Sequence, residues 1–364
     1  MKNAFHKLWN GIKKHRKKLL IILVCFVVAH PILILPTATV IIYESVFGTR
    51  YETPSWMQFS VEEYPGLSVE RSDFQSGDIT LAGYRYVNSD VPIKGVVVLA
   101  HGMGGGGHNT YMPFIDSFTS NGYGVFAYDA HGNDNSGGGS VKGLPQGIID
   151  LDNAIRHVKS LEDYRGLPIM LFGHSWGGYS VGNVLGMHPD VKAAVIVAGF
   201  NESEDLLRYQ GESVSHTDMT VVMPYLELYE RIKFGSAYSD ISAIESMKQT
   251  DAAVMVIHSK DDATVPVTYG YDKFHAAFGD SDRFEFVLYE DRGHSYLFYS
   301  DEAQAYRATL NENYTRYVEE NGLTYNEAVK EEFMNQNLDK QQCFDPDPDL
   351  MKRILDMFDR QCLA

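Results

Sequence analysis

The chain has 364 residues, 44% of them hydrophobic, and a formal net charge of −17 at pH 7. The apolar content is that of a globular protein and excludes a disordered chain. The acidic balance argues against a nucleic-acid partner, and the length allows one α/β unit of more than 200 residues with flanking segments.

The charge is unevenly placed. Residues 1–18 hold seven of the 31 basic residues and none of the 48 acidic ones, so the remainder is 24 basic against 48 acidic. Residues 19–43 follow with no Asp, Glu, Lys or Arg. That stretch is long enough to span a bilayer as a helix, and its three breakers, His30, Pro31 and Pro36, are tolerable there. The basic cluster just before it predicts a cytoplasmic N-terminus and an extracytoplasmic domain at the cell membrane. A cleaved signal peptide and a buried soluble helix are the competing readings. Residues 44–77, with Pro54, Pro65, Gly66 and Gly77, read as a linker into the domain.

From there the pattern alternates. Strands are expected at 79–87, 95–100, 123–128, 167–172, 191–197, 252–258 and 283–289, with helical stretches between several of them, such as Gln146–Leu161. Strands alternating with helices predict a mainly parallel sheet flanked by helices, with ligands bound at the strands' carboxyl ends. Residues 201–250 break the alternation and read as an inserted lid, rich in Met and Tyr, able to wall an apolar pocket. The tail, residues 319–364, ends in an amphipathic helix carrying Leu350, Met351, Ile354, Leu355 and Phe358, with Asp347-Pro348 at its start. Asp345, Asp347 and Asp349 lack the glycine and distal glutamate of a calcium loop. Cys25 lies in the apolar segment; Cys343 and Cys362 in the tail are open to either a bridge or free thiols.

The chemistry sits on three strand-ending loops. Gly173-His174-Ser175-Trp176-Gly177 lies between the apolar run 167–172 and a helix-like segment. Gly-x-Ser-x-Gly in that setting is a nucleophile elbow, which lifts a serine hydroxyl clear of the backbone. A serine needs a base to take its proton and a carboxylate to orient that base. The acid is expected in the loop after Val254-Met255-Val256-Ile257, at Asp261 or Asp262. Two histidines follow it: His275 in a helix-like segment, and His294 in the loop Glu290-Asp291-Arg292-Gly293-His294 after a strand-like run. His294 is the better base. The oxyanion needs two backbone N–H donors: Trp176, next to the serine, and Met103, in the glycine-rich loop His101-Gly102-Met103-Gly104-Gly105-Gly106-Gly107-His108. That loop lacks the Lys-Ser/Thr ending of a phosphate-binding loop.

With these residues in place the chain resembles the α/β-hydrolase superfamily, within it the serine hydrolases of the monoacylglycerol lipase, lysophospholipase and serine aminopeptidase type. The motifs that carry the resemblance are His101-Gly102-Met103-Gly104, Gly173-His174-Ser175-Trp176-Gly177-Gly178, Asp262-Ala263-Thr264-Val265-Pro266 and Gly293-His294. It covers roughly residues 78–318 and implies the acid three residues before the Val of Val-Pro, which selects Asp262. It also implies a lid at 201–250. One stretch departs: where the family often has Asp-x-Arg-Gly-His-Gly-x-Ser, this chain has Asp129-Ala130-His131-Gly132-Asn133-Asp134-Asn135-Ser136.

The expected activity is carboxylic ester hydrolysis, on lipid-derived or short acyl esters, through an acyl-enzyme on Ser175 with His294, Asp262, Met103 and Trp176. No metal or organic cofactor is expected. Peptide hydrolysis is the alternative, with Glu202, Glu204 and Asp205 to hold a substrate amine; a non-catalytic ligand-binding module is the minor one.

Overall fold

Along the strand Gly95–Ala100, Val96, Val98 and Ala100 enter one apolar cluster, and Val97 and Leu99 enter another on the opposite face. A strand buried on both faces must be apolar at every position, and it can exist only inside a sheet covered on two sides. The computed structural model, which describes residues 16–18, 20–21, 30–104 and 106–362, shows that sheet. The basic residues 1–15, the apolar residues 19 and 22–29 with Cys25, and Gly105 lie outside the described residues.

The strands are β1 (Leu67–Arg71), β2 (Phe74–Ser76), β3 (Ile79–Leu81), β4 (Gly83–Asn88), β5 (Gly95–Ala100), β6 (Tyr123–Tyr128), β7 (Ile169–His174), β8 (Ala193–Val197), β9 (Ala253–Ser259) and β10 (Phe284–Tyr289). Eight of them form one sheet in the order β1-β4-β6-β5-β7-β8-β9-β10. β1 with β4 and β4 with β6 are antiparallel; every pair from β6 to β10 is parallel. Helices Leu144–Ser160 and Trp176–Val184 cover one face, Met112–Ser120 and Pro348–Cys362 the other. This is the α/β-hydrolase architecture. The run expected as one strand at 79–87 is divided: β3 pairs with β2 in a separate ribbon and β4 joins the main sheet. β1 and β2 arise within the stretch read as a linker. The tail helix buries Leu350, Met351, Ile354, Met357 and Phe358, and Asp347 Oδ1 caps it by accepting from the amides of Asp349 and Leu350 at 3.1 Å. Both tail cysteines are free thiols.

The apolar N-terminal segment is helical from His30 to Phe47, 18 residues with a mean hydropathy of 1.4, enough by length and composition to cross a membrane. A signal sequence passes the same test. The helix runs past residue 43, and its last two turns are not free. Thr39, Tyr43 and Phe47, four residues apart, are its buried side chains. They share one face, which lies against the helix Met223–Phe234: the Tyr43 hydroxyl donates to Glu230 Oε1 at 2.6 Å, and Glu44 accepts from Tyr229 at 2.7 Å and from Lys233. Ile32, Leu33, Ile41 and Ile42 remain exposed.

Glu230 is the buried hinge of this contact. Its second oxygen accepts from Ser203 at 2.7 Å, and burial raises its pKa from an ordinary 4.5 to about 7. Between those values the folded chain binds more protons here than the unfolded chain, so this site's contribution to stability is largest at low pH and fades as pH rises. Glu230→Gln should therefore flatten the change: the melting temperature of the wild type should fall from pH 5 to pH 8 by more than that of the variant. Equal pH dependence in the two proteins would refute a titrating Glu230.

Candidate active site

Ser175 sits between β7 and the helix Trp176–Val184 with φ 56° and ψ −115°. A side-chain-bearing residue adopts such a backbone only where its surroundings enforce it. The enforcement is local. Ser175 N–H donates to Val197 O on the neighbouring strand, and Tyr179 N–H donates to Ser175 O, both at 2.8 Å. The flanking glycines are steric requirements: a Cβ on Gly173 would stand 2.3 Å from Gly177 O, and one on Gly177 would stand 2.0 Å from Ala100 O.

The hydroxyl meets a base. His294, carried on the loop after β10, places Nε2 2.8 Å from Ser175 Oγ and Nδ1 2.7 Å from Asp262 Oδ2. A carboxylate only accepts, so Nδ1 carries the proton and Nε2 is left to accept from the serine. Asp262 is buried at the end of β9. Burial would raise its pKa, but hydrogen bonds from His258 and His294, with a further one from the Val265 amide, hold it well below the usual carboxylate range. Its other oxygen accepts from the amides of Thr264 and Val265 at 2.9 and 2.8 Å. Asp261 faces elsewhere: its Oδ1 accepts from Ser259 at 2.6 Å and from Gly293 N–H at 2.9 Å, fixing the backbone just before His294. His275 lies on the helix Tyr271–Phe278, stacked on Tyr271.

Three residues missed in the sequence complete the scaffold. His258 Nε2 donates to Val265 O at 2.8 Å and lies 3.3 Å from Asp262 Oδ2. His174 Nε2–H donates to His294 O at 3.0 Å, and its Nδ1 accepts from the Tyr111 hydroxyl at 2.9 Å. Tyr111 oxygen accepts in turn from Gly102 N–H at 3.2 Å. This chain ties the glycine-rich loop to the base's backbone through the residue before the serine. A lone histidine at the end of an apolar strand carries no sequence signal for such a link. Burial and the neighbouring His294 push the His174 pKa down to about 3, so the ring stays neutral.

Met103 and Trp176 were the residues expected to supply the oxyanion amides. Trp176 is the first residue of its helix, so its N–H has no intrahelical acceptor. Met103 lines the same cavity as Ser175 and His294, which holds about 320 Å³. Residues 201–250 contribute nothing to that lining. They enclose a different cavity of about 210 Å³, lined by Glu202, Glu204, Glu227, Glu230 and Asp240 among others. Asp205 is paired with Lys273 at 2.5 Å. None of Glu202, Glu204 and Asp205 lines the Ser175 cavity; the carboxylate among its lining residues is Glu327. Among the described residues no group of His, Cys, Asp and Glu is arranged to hold a metal ion.

Residues 91–252 match the model of the family described as serine aminopeptidase, S33. A 128-residue stretch is 32% identical to caffeoylshikimate esterase of Arabidopsis thaliana, covering 34% of this chain and 39% of that protein. A longer one, 235 residues at 23% identity, matches the uncharacterised protein YqkD of Bacillus subtilis over 64% of this chain and 74% of the relative. Among solved structures, the esterase Pf2001 of Pyrococcus furiosus superposes with a TM-score of 0.53 at 15% identity, over 75% of this chain and 98% of that one.

The tautomer of His174 is open to direct observation. The 15N spectrum of its ring should show the neutral Nε2–H form throughout pH 5–8. An imidazolium signal in that range would break the hydrogen-bond chain as drawn.

Proposed function

From the premise that the chain is a serine hydrolase of the α/β-hydrolase superfamily, we propose that it cleaves carboxylic esters through an acyl-enzyme on Ser175. The observation that carries this reading is the continuous hydrogen-bond line from Ser175 Oγ through His294 to Asp262. Ser175 attacks the ester carbonyl as His294 Nε2 takes its proton. Asp262, an anion throughout, keeps Nδ1 protonated and stabilises the imidazolium that forms. Negative charge on the carbonyl oxygen is met by the N–H groups of Met103 and Trp176, preset by the glycine-rich loop and the helix start. His294 returns its proton to the departing alcohol, then activates a water that hydrolyses the acyl-enzyme.

Ester cleavage is favoured over peptide cleavage because none of Glu202, Glu204 and Asp205 lines the Ser175 cavity. The name of one relative, caffeoylshikimate esterase, supports ester cleavage, while the name of the matching family model, serine aminopeptidase, supports the alternative. The same reading places the protein at the cell membrane, with the N-terminus cytoplasmic and the catalytic domain outside. The uncharged apolar sequence from residue 19 to residue 38 supports it as the membrane-crossing part, because the turns from Thr39 to Phe47 are docked on the domain.

Ser175→Ala should lower kcat on p-nitrophenyl butyrate by on the order of 10⁶-fold with unchanged melting temperature, and Asp262→Asn by about 10³–10⁴-fold with a lowered one, because the anion held in the fold stabilises it at neutral pH. Retention of more than a tenth of the wild-type rate by Ser175→Ala would remove the nucleophile assignment. Faster turnover of aminoacyl p-nitroanilides than of esters would favour the peptidase instead. Externally added protease should degrade the catalytic domain on intact cells; protection of the domain would overturn the orientation.

A further inference from the structure

The outer wall of the Ser175 cavity comes from two stretches remote from the catalytic residues in sequence. Trp56 and Met57 come from the first stretch, Lys330 and Phe344 from the second. Both stretches lie outside residues 91–252.

Each half of this wall is anchored. The segment before Trp56 is held by residues 129–138, which include the stretch where the sequence departs from its family's pattern. Thr53 N–H and Oγ both donate to the Asp134 carboxylate at 2.6 Å. The Arg50 guanidinium donates to the carbonyls of Ser136 and Gly138 at 2.9 Å, and Tyr51 pairs with Gly132 O and Asp134 N–H at 3.0 Å. From the other flank, the helix Glu327–Asn337 receives the segment. Ser55 Oγ donates to Glu331 at 2.7 Å, Trp56 packs on the cluster of Leu310, Phe333 and Met334, and the Lys330 ammonium lies 5.7 Å from the Trp56 ring centre. The loop whose sequence departs from the family's pattern thus anchors the segment just before Trp56.

The anchored Trp56 joins other aromatic rings, beside the charged Glu327 and Lys330. Trp56, Tyr111, Tyr296, Phe298, Tyr299 and Phe344 line the cavity around the serine and its base. At about 320 Å³ the cavity sits at the small end of ligand pockets, which run from roughly 300 to 1,000 Å³. A bound ring gains offset or edge-on contacts with such walls beyond its buried area, worth roughly two- to ten-fold in affinity. An acyl chain of the same size gains no such contacts.

We propose that this aromatic lining, completed from the flanks by Trp56 and Phe344, selects compact carboxylic esters that carry an aromatic ring. The selection rests on the reading of Ser175 as the nucleophile, and it narrows the substrate within that reading.

The test compares two matched pairs on the full chain, by acid release at constant pH: methyl 3-phenylpropanoate against methyl octanoate, and benzyl acetate against hexyl acetate. The expected result is a kcat/KM at least five-fold higher for the ring ester in one pair or both. Trp56→Leu should abolish that preference by lowering kcat/KM for the ring esters at least five-fold more than for the chain esters, and Trp56→Phe should retain it. Equal or reversed preference in both pairs of the wild type overturns the proposal without need of any variant, as does a Trp56→Leu protein that keeps the preference. If Ser175→Ala is inactive on all four esters while the wild type shows no ring preference, the selectivity alone has failed. If Ser175→Ala hydrolyses them at the wild-type rate, the nucleophile reading has failed and the selectivity with it.

Discussion

One backbone angle constrains the rest of the site. Ser175 can hold φ 56° only because the chain on either side is clamped, and the clamp is made of close approaches that exclude side chains. Gly173 lies against Gly177, Gly177 against the carbonyl of Ala100, and Gly178 against the carbonyl of Val197. The elbow is therefore wedged between β5 and β8, the two strands beside β7. The same wedge decides where everything else must stand. The glycine-rich loop leaves the end of β5, the acid leaves the end of β9, and the base leaves the end of β10. Because these strands run parallel to β7, all four loops open on one edge of the sheet.

Preorganisation at that edge depends on buried polar groups more than on the reacting ones. His174 and Tyr111 join the Gly102 amide to the His294 carbonyl. Asp261 and Ser259 fix the two residues before His294. Arg292 spreads its guanidinium over the carbonyls of Leu297 and Tyr299 and the carboxylate of Asp347, which also caps the last helix. The C-terminal extension thus braces the base's loop from behind, and through Lys330 and Phe344 it faces the cavity from the front. An extension that reads as an appendage is part of the site's mechanical support.

The parallel sheet was legible because strands buried on both faces leave continuous apolar runs, and five of them, from β5 to β9, fall within two residues of the expected bounds. The elbow and the glycine-rich loop were legible because tight backbone needs glycine, which leaves a local mark. Asp262 and Asp261 could not be separated on chemistry alone: both are carboxylates at one strand end, and only the fold turns one to the imidazole and the other to the Gly293 amide. His174, His258 and Tyr111 were illegible because a polar residue in an apolar run looks the same whether it bonds across the sheet or simply fills space. The cavity wall was illegible for a different reason. Trp56 meets Lys330 across more than half the chain, and no local pattern encodes such a meeting. The lid expected at 201–250 has its place in the sequence, but its side chains close a separate cavity and receive the end of the apolar helix. The docking of Thr39, Tyr43 and Phe47 was illegible as well, because their four-residue spacing straddles the end of the apolar run at Glu44.

The central claim is that an activated hydroxyl at residue 175 faces two amides preset for an oxyanion. A crystal structure of the protein inactivated with an alkyl fluorophosphonate tests it most directly. The account predicts phosphorus bonded to Ser175 Oγ, with one phosphonyl oxygen within about 3 Å of both the Met103 and Trp176 nitrogens. Phosphorus on any other side chain, or an oxygen turned away from both amides, would contradict it.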